Sequence, residues 1–183
     1  MKQVLDACVL YPTVMREMLL GAARVGLYTP LWSARILEEW ARAAARHGAG
    51  QEMQARSDIA LDQIAFPTAI VPEAKGLEQR LWLPDPNDIH VLASAISSSA
   101  DGIITLNRKD FPRSILAEEG VTRTDPDAFL YQLWLAEPGA IETAARAVLA
   151  KAQELSDRPW EMRALLKKAR LPRVAKALSD IET

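Results

Sequence analysis

The sequence has one cysteine, few glycines and no long apolar run. Since Cys8 is the single cysteine among 183 residues, an internal disulfide framework is excluded and a reducing compartment such as the cytoplasm is expected. Charged residues interrupt every apolar stretch before the roughly 18 residues that a membrane span requires, so no membrane association is expected. The first residues also lack the pattern of a secretory signal. With 49% hydrophobic and 25% charged residues, the composition is typical of a globular protein that folds without a disulfide or metal.

Several common catalytic motifs are also missing. No glycine-rich loop follows the first predicted strand, which disfavours a dinucleotide site or a P-loop. A cysteine phosphatase would have an arginine five residues after its cysteine, and Cys8 has none. Cys8 is therefore expected to be a small buried side chain. His47 and His90 do not have the spacing of paired metal ligands, and there is no Ser-His-Asp arrangement. A phosphoacceptor receiver domain is disfavoured because Asp58 and Asp62 fall on a predicted helix.

The net charge of −2 conceals an uneven distribution along the chain. Residues 1–139 carry 13 basic and 18 acidic side chains, whereas residues 140–183 carry 9 and 6. The total argues against a general basic surface that coats nucleic acid. An acidic body with a basic tail can instead hold a metal in one part and a polyanion in the other.

Short apolar strands alternate with amphipathic helices, a pattern that predicts an α/β domain with a mostly parallel sheet. We predict a domain over residues 1–138 and a helical C-terminal extension over residues 139–183. Strands are expected near residues 4–5, 69–71 and 102–106. Helices are expected at residues 12–26, after Ser33, at 52–64, after Asp85, at 128–135, and beyond Gly139 with breaks at Arg158-Pro159 and Leu171-Pro172.

Four acidic residues stand out by their positions. Asp6 ends the first strand, Glu39 borders the buried stripe of the second helix, Asp88 lies in the first turn of the helix that Asp85 caps, and Asp110 follows the strongest strand. Strand carboxyl ends and helix starts meet at one edge of an open α/β sheet, so these side chains are expected to converge. Crowded carboxylates repel one another unless a cation such as Mg²⁺ neutralises them. Such a site can activate water for in-line phosphodiester displacement.

Each of these acids also has an ordinary structural explanation. Asp85 is most simply a helix cap, and Asp125-Pro126 repeats the same helix opening elsewhere. Asp88 in the first helical turn is favourable for the helix dipole alone. Glu38 competes with Glu39, because either is a normal solvated helix charge. The joint placement of the acids is what favours a metal site.

Four ordered segments together resemble the PIN domain family over about residues 2–136. By similarity, the fold is a three-layer PIN-like α/β fold with a central, mostly parallel sheet, and the activity is that of a ribonuclease dependent on Mg²⁺ or Mn²⁺. The resemblance implies that Asp6, Glu39, Asp88 and Asp110 are the catalytic and metal-binding residues. It also implies that Thr105 and Asn107 support them and that Arg16 contacts a phosphate. The segments are VLDACVLYP (4–12), WSARILEEW (32–40), DPNDIHVLA (85–93) and ITLNRKDF (104–111).

The resemblance also implies a biological role and partners. Many bacterial members are VapC-type toxins that a cognate antitoxin inhibits, and the extension resembles the helical addition of a longer VapC-like subgroup. A toxin that cleaves RNA, binds an antitoxin and forms a homodimer is therefore expected. Two alternatives stay open: a non-catalytic PIN-like module that binds metal or protein, and an RNA-processing nuclease outside a toxin–antitoxin pair. Cys8 departs from the Ser, Thr or Asn of many relatives.

The C-terminal extension carries a cluster of cations with interleaved apolar residues. One hypothesis is contact with the RNA phosphate backbone, which would depend on salt concentration. The alternatives are a short helix that packs on the body with a solvated basic face, and docking of the antitoxin on the apolar stripe. The cations proposed to contact RNA are Arg163, Lys167, Lys168, Arg170 and Arg173.

Overall fold

A five-stranded, all-parallel sheet organises the N-terminal part of the fold, which a computed structural model describes for residues 1–156 and 158–179. The sheet order is β3-β2-β1-β4-β5, so the chain moves outward from β1 in one direction and then in the other. This reversal creates a topological switch point at the carboxyl ends of β1 and β4. The predicted α/β fold with a parallel sheet is confirmed. The strands are β1 (Lys2–Leu5), β2 (Thr29–Ser33), β3 (Ile70–Val71), β4 (Gly102–Ile104) and β5 (Thr122–Thr124).

Helices make the connections between the strands and form the C-terminal part of the chain. Ser33 caps α3, as predicted, by accepting a hydrogen bond from the Ile36 amide at 3.2 Å. The helices are α1 (Ala7–Leu10), α2 (Thr13–Arg24), α3 (Ala34–Ala45), α4 (Ala49–Ala65), α5 (Lys75–Glu78), α6 (Ile89–Ser97), α7 (Arg113–Glu118), α8 (Pro126–Ala136), α9 (Pro138–Glu154), α10 (Met162–Lys168) and α11 (Pro172–Ser179). Within the described residues, every helix falls short of the length and apolar character that a membrane crossing needs.

The centre of the sheet is completely buried. Val4 of β1 is in register with Leu31 of β2 and with Ile103 of β4. Because a parallel sheet is covered on both faces, its strands are apolar runs rather than alternating patterns. Gly102 opens β4 where a Cβ atom would lie close to Thr122 Oγ1 and 3.0 Å from the Thr122 carbonyl oxygen of β5. A larger residue there would press on the backbone of β5.

The chain forms two compact units, and their limits differ from the predicted boundary between residues 138 and 139. The sheet unit comprises residues 1–11 and 28–124, and the helical unit comprises residues 12–27 and the chain from residue 125 onward, described to residue 179. Within the helical unit, α2 packs against α8, α9 and α10. The approach of α2 to α9 is close, since a Cβ atom on Gly21 would lie 2.9 Å from Ala144 Cβ. The extension therefore shares a core with helices that precede it in sequence.

A buried carboxylate attaches the end of the chain to α8. The side chain of Asp127 accepts hydrogen bonds from the amides of Arg173 and Val174, at 3.0 and 3.1 Å. These amides belong to the first turn of α11, where they have no intrahelical partner. Burial raises the pKa of Asp127 above its ordinary value. The predicted breaks before α10 and α11 are both present, because α9 ends at Glu154 and α11 begins at Pro172.

Candidate functional site

Asp6 lies at the carboxyl end of the central strand, and its side chain is held by two donors. Thr105 Oγ1 donates to Asp6 Oδ2 at 2.5 Å, and the Cys8 thiol donates to the same oxygen at 3.0 Å. The Asp6 amide donates to the carbonyl of Ile104 at 3.1 Å, which joins the ends of β1 and β4. The buried carboxylate is thus fixed in position by the strands on either side of the switch point.

Cys8 supports Asp6 as a neutral thiol. Its sulfur accepts a hydrogen bond from the Leu106 amide at 3.3 Å and also lies 3.3 Å from Thr105 Oγ1. Burial, reinforced by the negative charge of Asp6, raises the pKa of Cys8 to about 12. The thiol therefore keeps its proton at neutral pH and supplies the polar contact that the departure from Ser, Thr or Asn had left open.

The strand β4 is followed by a loop that links Asp6 to a second acidic residue. The Asn107 amide donates to Thr105 Oγ1 at 2.9 Å, and Asn107 Nδ2 donates to Asp88 Oδ2 at the same distance. Asn107 Oδ1 accepts a hydrogen bond from the Asp110 amide at 3.3 Å. Thr105 and Asn107 therefore orient both Asp6 and Asp88, and they fold the loop that carries Asp110.

Three aspartates form the tightest acidic group in the part of the chain that the structure describes. One carboxylate oxygen from each of Asp85, Asp88 and Asp110 lies within 4.8 Å of the other two. Burial, followed by the negative charges of Asp6, Asp85, Asp110 and Glu39, raises the pKa of Asp88 from 3.8 to about 6. All five carboxyl groups therefore act on the same small region. Oxygen donors that repel one another in this way suit a hard divalent cation.

Asp85 is a further residue of this acidic group, beyond the four acids predicted from the sequence. It is a helix cap, as predicted, and accepts hydrogen bonds from the Asn87 amide at 2.9 Å and from Asn87 Nδ2 at 3.0 Å. The turn that it caps is a 3-10 helix over Pro86–Asp88, and α6 begins only at Ile89. Side chains three residues apart are eclipsed in a 3-10 helix, which brings Asp85 and Asp88 onto one side. The spacing of these two acids was the signal available in the sequence.

The adjacent glutamates of α3 point in different directions. Glu39 Oε1 lies 2.9 Å from Nε2 of the buried His90 and 3.4 Å from Arg35 Nε. The charge of Glu39 also contributes to the raised pKa of Asp88. Of the two rival glutamates, Glu39 is the one that the fold directs toward the aspartates.

Glu38, in contrast, belongs to the surface between α3 and α4. It forms ion pairs with Arg42 at 3.1 Å and with Arg56 at 3.0 Å. Hydrogen bonds from these guanidinium groups lower the pKa of Glu38. Glu38 is therefore paired with two arginines, and it is a suitable control position for substitutions of Glu39.

The cations predicted to contact RNA lie in the helical unit. Arg16, on α2, is only 3% exposed, and its Nε lies 3.6 Å from Glu17 Oε1, so little of its guanidinium is accessible to a phosphate. Arg158 Cζ lies 5.2 Å from the centroid of the Trp160 ring, and Lys168 Nζ lies 4.9 Å from it. The five C-terminal cations predicted to contact RNA are all exposed: Arg163, Lys167, Lys168, Arg170 and Arg173.

Comparison with known proteins gives one family match. A family model described as PIN domain matches residues 2–109, which is more than half of the chain. The match contains Asp6, Glu39, Asp85 and Asp88 and ends immediately before Asp110. No curated protein and no solved structure matches the chain.

Proposed function

The chain belongs to the PIN domain family, and from this premise we propose that it is a metal-dependent endoribonuclease that hydrolyses RNA phosphodiesters. PIN domains are generally metal-dependent nucleases. The observation that carries the proposal is the convergence of five carboxyl groups at the switch point of the sheet, where burial and the four neighbouring negative charges raise the pKa of Asp88 to about 6. Such crowding of carboxylates is electrostatically unfavourable, and a bound cation would offset the repulsion.

The proposal gives each acidic residue a role. Asp85, Asp88 and Asp110 would hold Mg²⁺ or Mn²⁺ with oxygen ligands, and Asp6 and Glu39 would complete the acidic surround. When bound, the cation activates water and stabilises charge on the phosphate oxygens. Thr105 and Cys8 hold Asp6, and Asn107 holds Asp88, so the carboxylates need little rearrangement to bind metal.

Single-turnover cleavage of single-stranded RNA by the full chain tests this function. Cleavage is expected with Mg²⁺ or Mn²⁺ and is expected to stop with EDTA. Asp6→Asn and Asp88→Asn should each slow cleavage by about 100-fold or more, since Asp88 is a proposed ligand and Asp6 belongs to the acidic surround of the cation. Glu38→Gln is the matched control for Glu39→Gln, because Glu38 pairs with Arg42 and Arg56 instead.

The same assay separates the enzyme from a non-catalytic module. Both would bind metal, so metal titration alone does not distinguish them. A protein that binds Mg²⁺ and RNA but never cleaves would be a binding module, and the nuclease proposal would then be wrong. An Asp6→Asn variant that cleaves at the wild-type rate would contradict the assignment of the site.

The biological role that we propose is the toxin of a two-gene toxin–antitoxin module. Support comes from the resemblance of the chain, including its helical extension, to VapC-type toxins. The expected partners are RNA, a cognate antitoxin and a second copy of the chain. A small adjacent reading frame that encodes a DNA-binding protein, whose product suppresses cleavage when mixed with this chain, would support the role. Its absence would favour an RNA-processing nuclease.

A further inference from the structure

An exposed tryptophan lies on the chain segment that leads into the acidic site. Of the five tryptophans, all in described residues, Trp32 and Trp40 are buried and Trp134 and Trp160 are partly buried. Trp82, in contrast, is 65% exposed. Single exposed apolar side chains are common, but tryptophan is among the side chains that folding buries most. The position of Trp82 is therefore the informative feature.

The segment around Trp82 is held at both ends. Leu81 and Leu83, on either side, are buried, so the backbone is fixed with the indole directed outward. Before them, Arg80 forms a two-point ion pair with the Glu119 carboxylate, with N–O distances of 2.8 and 3.0 Å. Trp82 thus lies on an irregular segment whose backbone is anchored by its neighbours.

The same segment places Trp82 close to the carboxylates. Trp82 and Asp85 are three residues apart, so their Cα atoms lie within about 11 Å even if the chain is fully extended. Pro84 and Pro86 fix their own φ angles and restrict the residues before them to extended backbone. Asp85 has this conformation, with φ −104° and ψ 114°. The backbone of Trp82 is therefore held within this short distance of the acidic group.

We propose that Trp82 is a substrate-positioning residue whose indole stacks on an unpaired base of single-stranded RNA, near the phosphate that the acidic site engages. This inference rests on the proposed ribonuclease function. A cation held by carboxylates binds the phosphodiester but does not contact the bases on either side of it. An exposed aromatic ring supplies that contact for any base, because every base has a flat face. A duplex offers no such face, so the substrate class is single-stranded RNA.

Equilibrium binding of RNA tests the inference without relying on cleavage. The full chain carrying Asp88→Asn, which prevents turnover, is titrated in Mg²⁺ against a short fluorescein-labelled single-stranded RNA of mixed sequence. In this background Trp82→Ala is expected to weaken binding by about 5- to 100-fold, the range of a lost base–aromatic stack. Trp82→Phe should retain most of the affinity. Ile64→Ala, which truncates a 77% exposed side chain on α4 of the same unit, should leave affinity unchanged.

A probe that lacks one base identifies stacking as the cause. Scanning a single abasic position along the RNA should find a site where the loss of the base weakens binding to the Asp88→Asn parent but adds little to the loss caused by Trp82→Ala in the same background. Equal losses in both proteins at every position would overturn the stacking proposal. So would a Trp82→Ala variant that binds RNA normally but changes in oligomeric state, because Trp82 would then be a protein contact.

The two proposals fail in different ways. If the wild-type chain cleaves RNA and Trp82→Ala binds RNA as well as its parent does, only the stacking inference is wrong. If the wild-type chain neither binds nor cleaves RNA with Mg²⁺ or Mn²⁺, the ribonuclease function is wrong and the role of Trp82 falls with it. Circular dichroism of Trp82→Ala checks that the fold is intact, as expected for an exposed side chain.

Discussion

At the scale of single residues, the most informative group is Asp88, since its environment opposes its own ionisation. Its carboxyl accepts a hydrogen bond from Asn107 while four other carboxyl groups act on it. The positions of Asp6, Asp88 and Asp110 at strand ends and a helix start were predictable, because parallel topology dictates where such ends meet. The participation of Asp85 was not, because it depends on a 3-10 turn where an α-helical start was expected.

The raised pKa of Asp88 predicts how the stability of the metal-free protein depends on pH. The folded state holds a proton with a pKa of about 6 that the unfolded chain releases near 3.8. This contribution to stability is therefore complete below pH 3.8 and is lost as the pH rises through about 6. Because Asp88 is partly exposed, solvent screening reduces it below the value of about 3 kcal/mol that the full shift would give. In EDTA, Asp88→Asn should be stabilised relative to wild type by more at pH 7 than at pH 4.5, as measured by thermal unfolding.

Metal binding provides the control for this experiment. Because a divalent cation neutralises the site, Mg²⁺ should raise the wild-type Tm more at pH 7 than at pH 5. The Tm of Asp88→Asn should respond less to Mg²⁺ at both pH values. A constant Tm difference between wild type and Asp88→Asn across the pH range would show that Asp88 does not titrate as expected.

A second prediction at this scale concerns the thiol of Cys8. With a pKa of about 12, almost none of it is thiolate at pH 8, and thiolate is the reactive form. Labelling with a chromogenic disulfide reagent should be slower by about 100-fold or more in the native protein than in urea. Fast native labelling would contradict the assignment of Cys8 as a neutral donor to Asp6.

At the scale of secondary structure, length decided what the sequence could predict. The long helices α2, α3 and α8 have clear apolar periodicity or caps, and their expected positions are confirmed, as is that of α4, which has a weaker pattern. The helices α1, α5 and α7 are four to six residues long, too short for a periodic pattern. The strand β5, with the sequence Thr-Arg-Thr, has no apolar signal at all. It forms because β4 offers it a pairing edge.

The capping of α11 by Asp127 predicts a stability effect within the helical unit. Asp127→Ala leaves the amides of Arg173 and Val174 without their acceptor, so the free energy of unfolding should fall by about 1–2 kcal/mol in urea titration. Glu137→Ala is the control, because this exposed residue precedes α9 and its side chain makes no cap hydrogen bond. Equal effects of the two substitutions would rule out the capping role.

The proposed RNA contact of α10 predicts a change in salt dependence. Each phosphate neutralised on a single strand contributes about 0.7 to the slope of log K against log salt, so Lys167→Ala with Lys168→Ala should reduce that slope by about 1.4. Lys75→Ala, which alters a highly exposed lysine of the sheet unit, should leave the slope nearly unchanged. An unaltered slope in the double variant would mean that α10 only packs.

At the scale of the whole molecule, the charge is distributed differently between the two structural units than between the two sequence segments divided at residue 139. The sheet unit carries 11 basic and 14 acidic residues, and the helical unit carries 11 and 10. The contrast is therefore smaller than a division at residue 139 indicates, because residues 125–139 bring three acidic and no basic side chains to the helical unit. The basic character is local to the C-terminal helices. Sequence order could not reveal this, since the units are assembled from separated parts of the chain.

Removal of the extension is the corresponding test of domain organisation. A chain that ends at residue 138 lacks α9, α10 and α11, which pack with α2 and α8. We expect this fragment to lose cooperative unfolding and to be cleaved rapidly by trypsin within residues 12–27. A fragment with the Tm and protease resistance of the full chain would instead support the boundary predicted from sequence.

The discontinuous helical unit also has a consequence for the order of events during synthesis. The helix α2 leaves the ribosome early, whereas its partner α9 begins more than a hundred residues later. At about 5–20 residues per second, translation separates them by roughly 6–20 s. During this interval a nascent chain can form its sheet while α2 still lacks α9 to pack against. The helical unit therefore cannot form its core until α9 has been made.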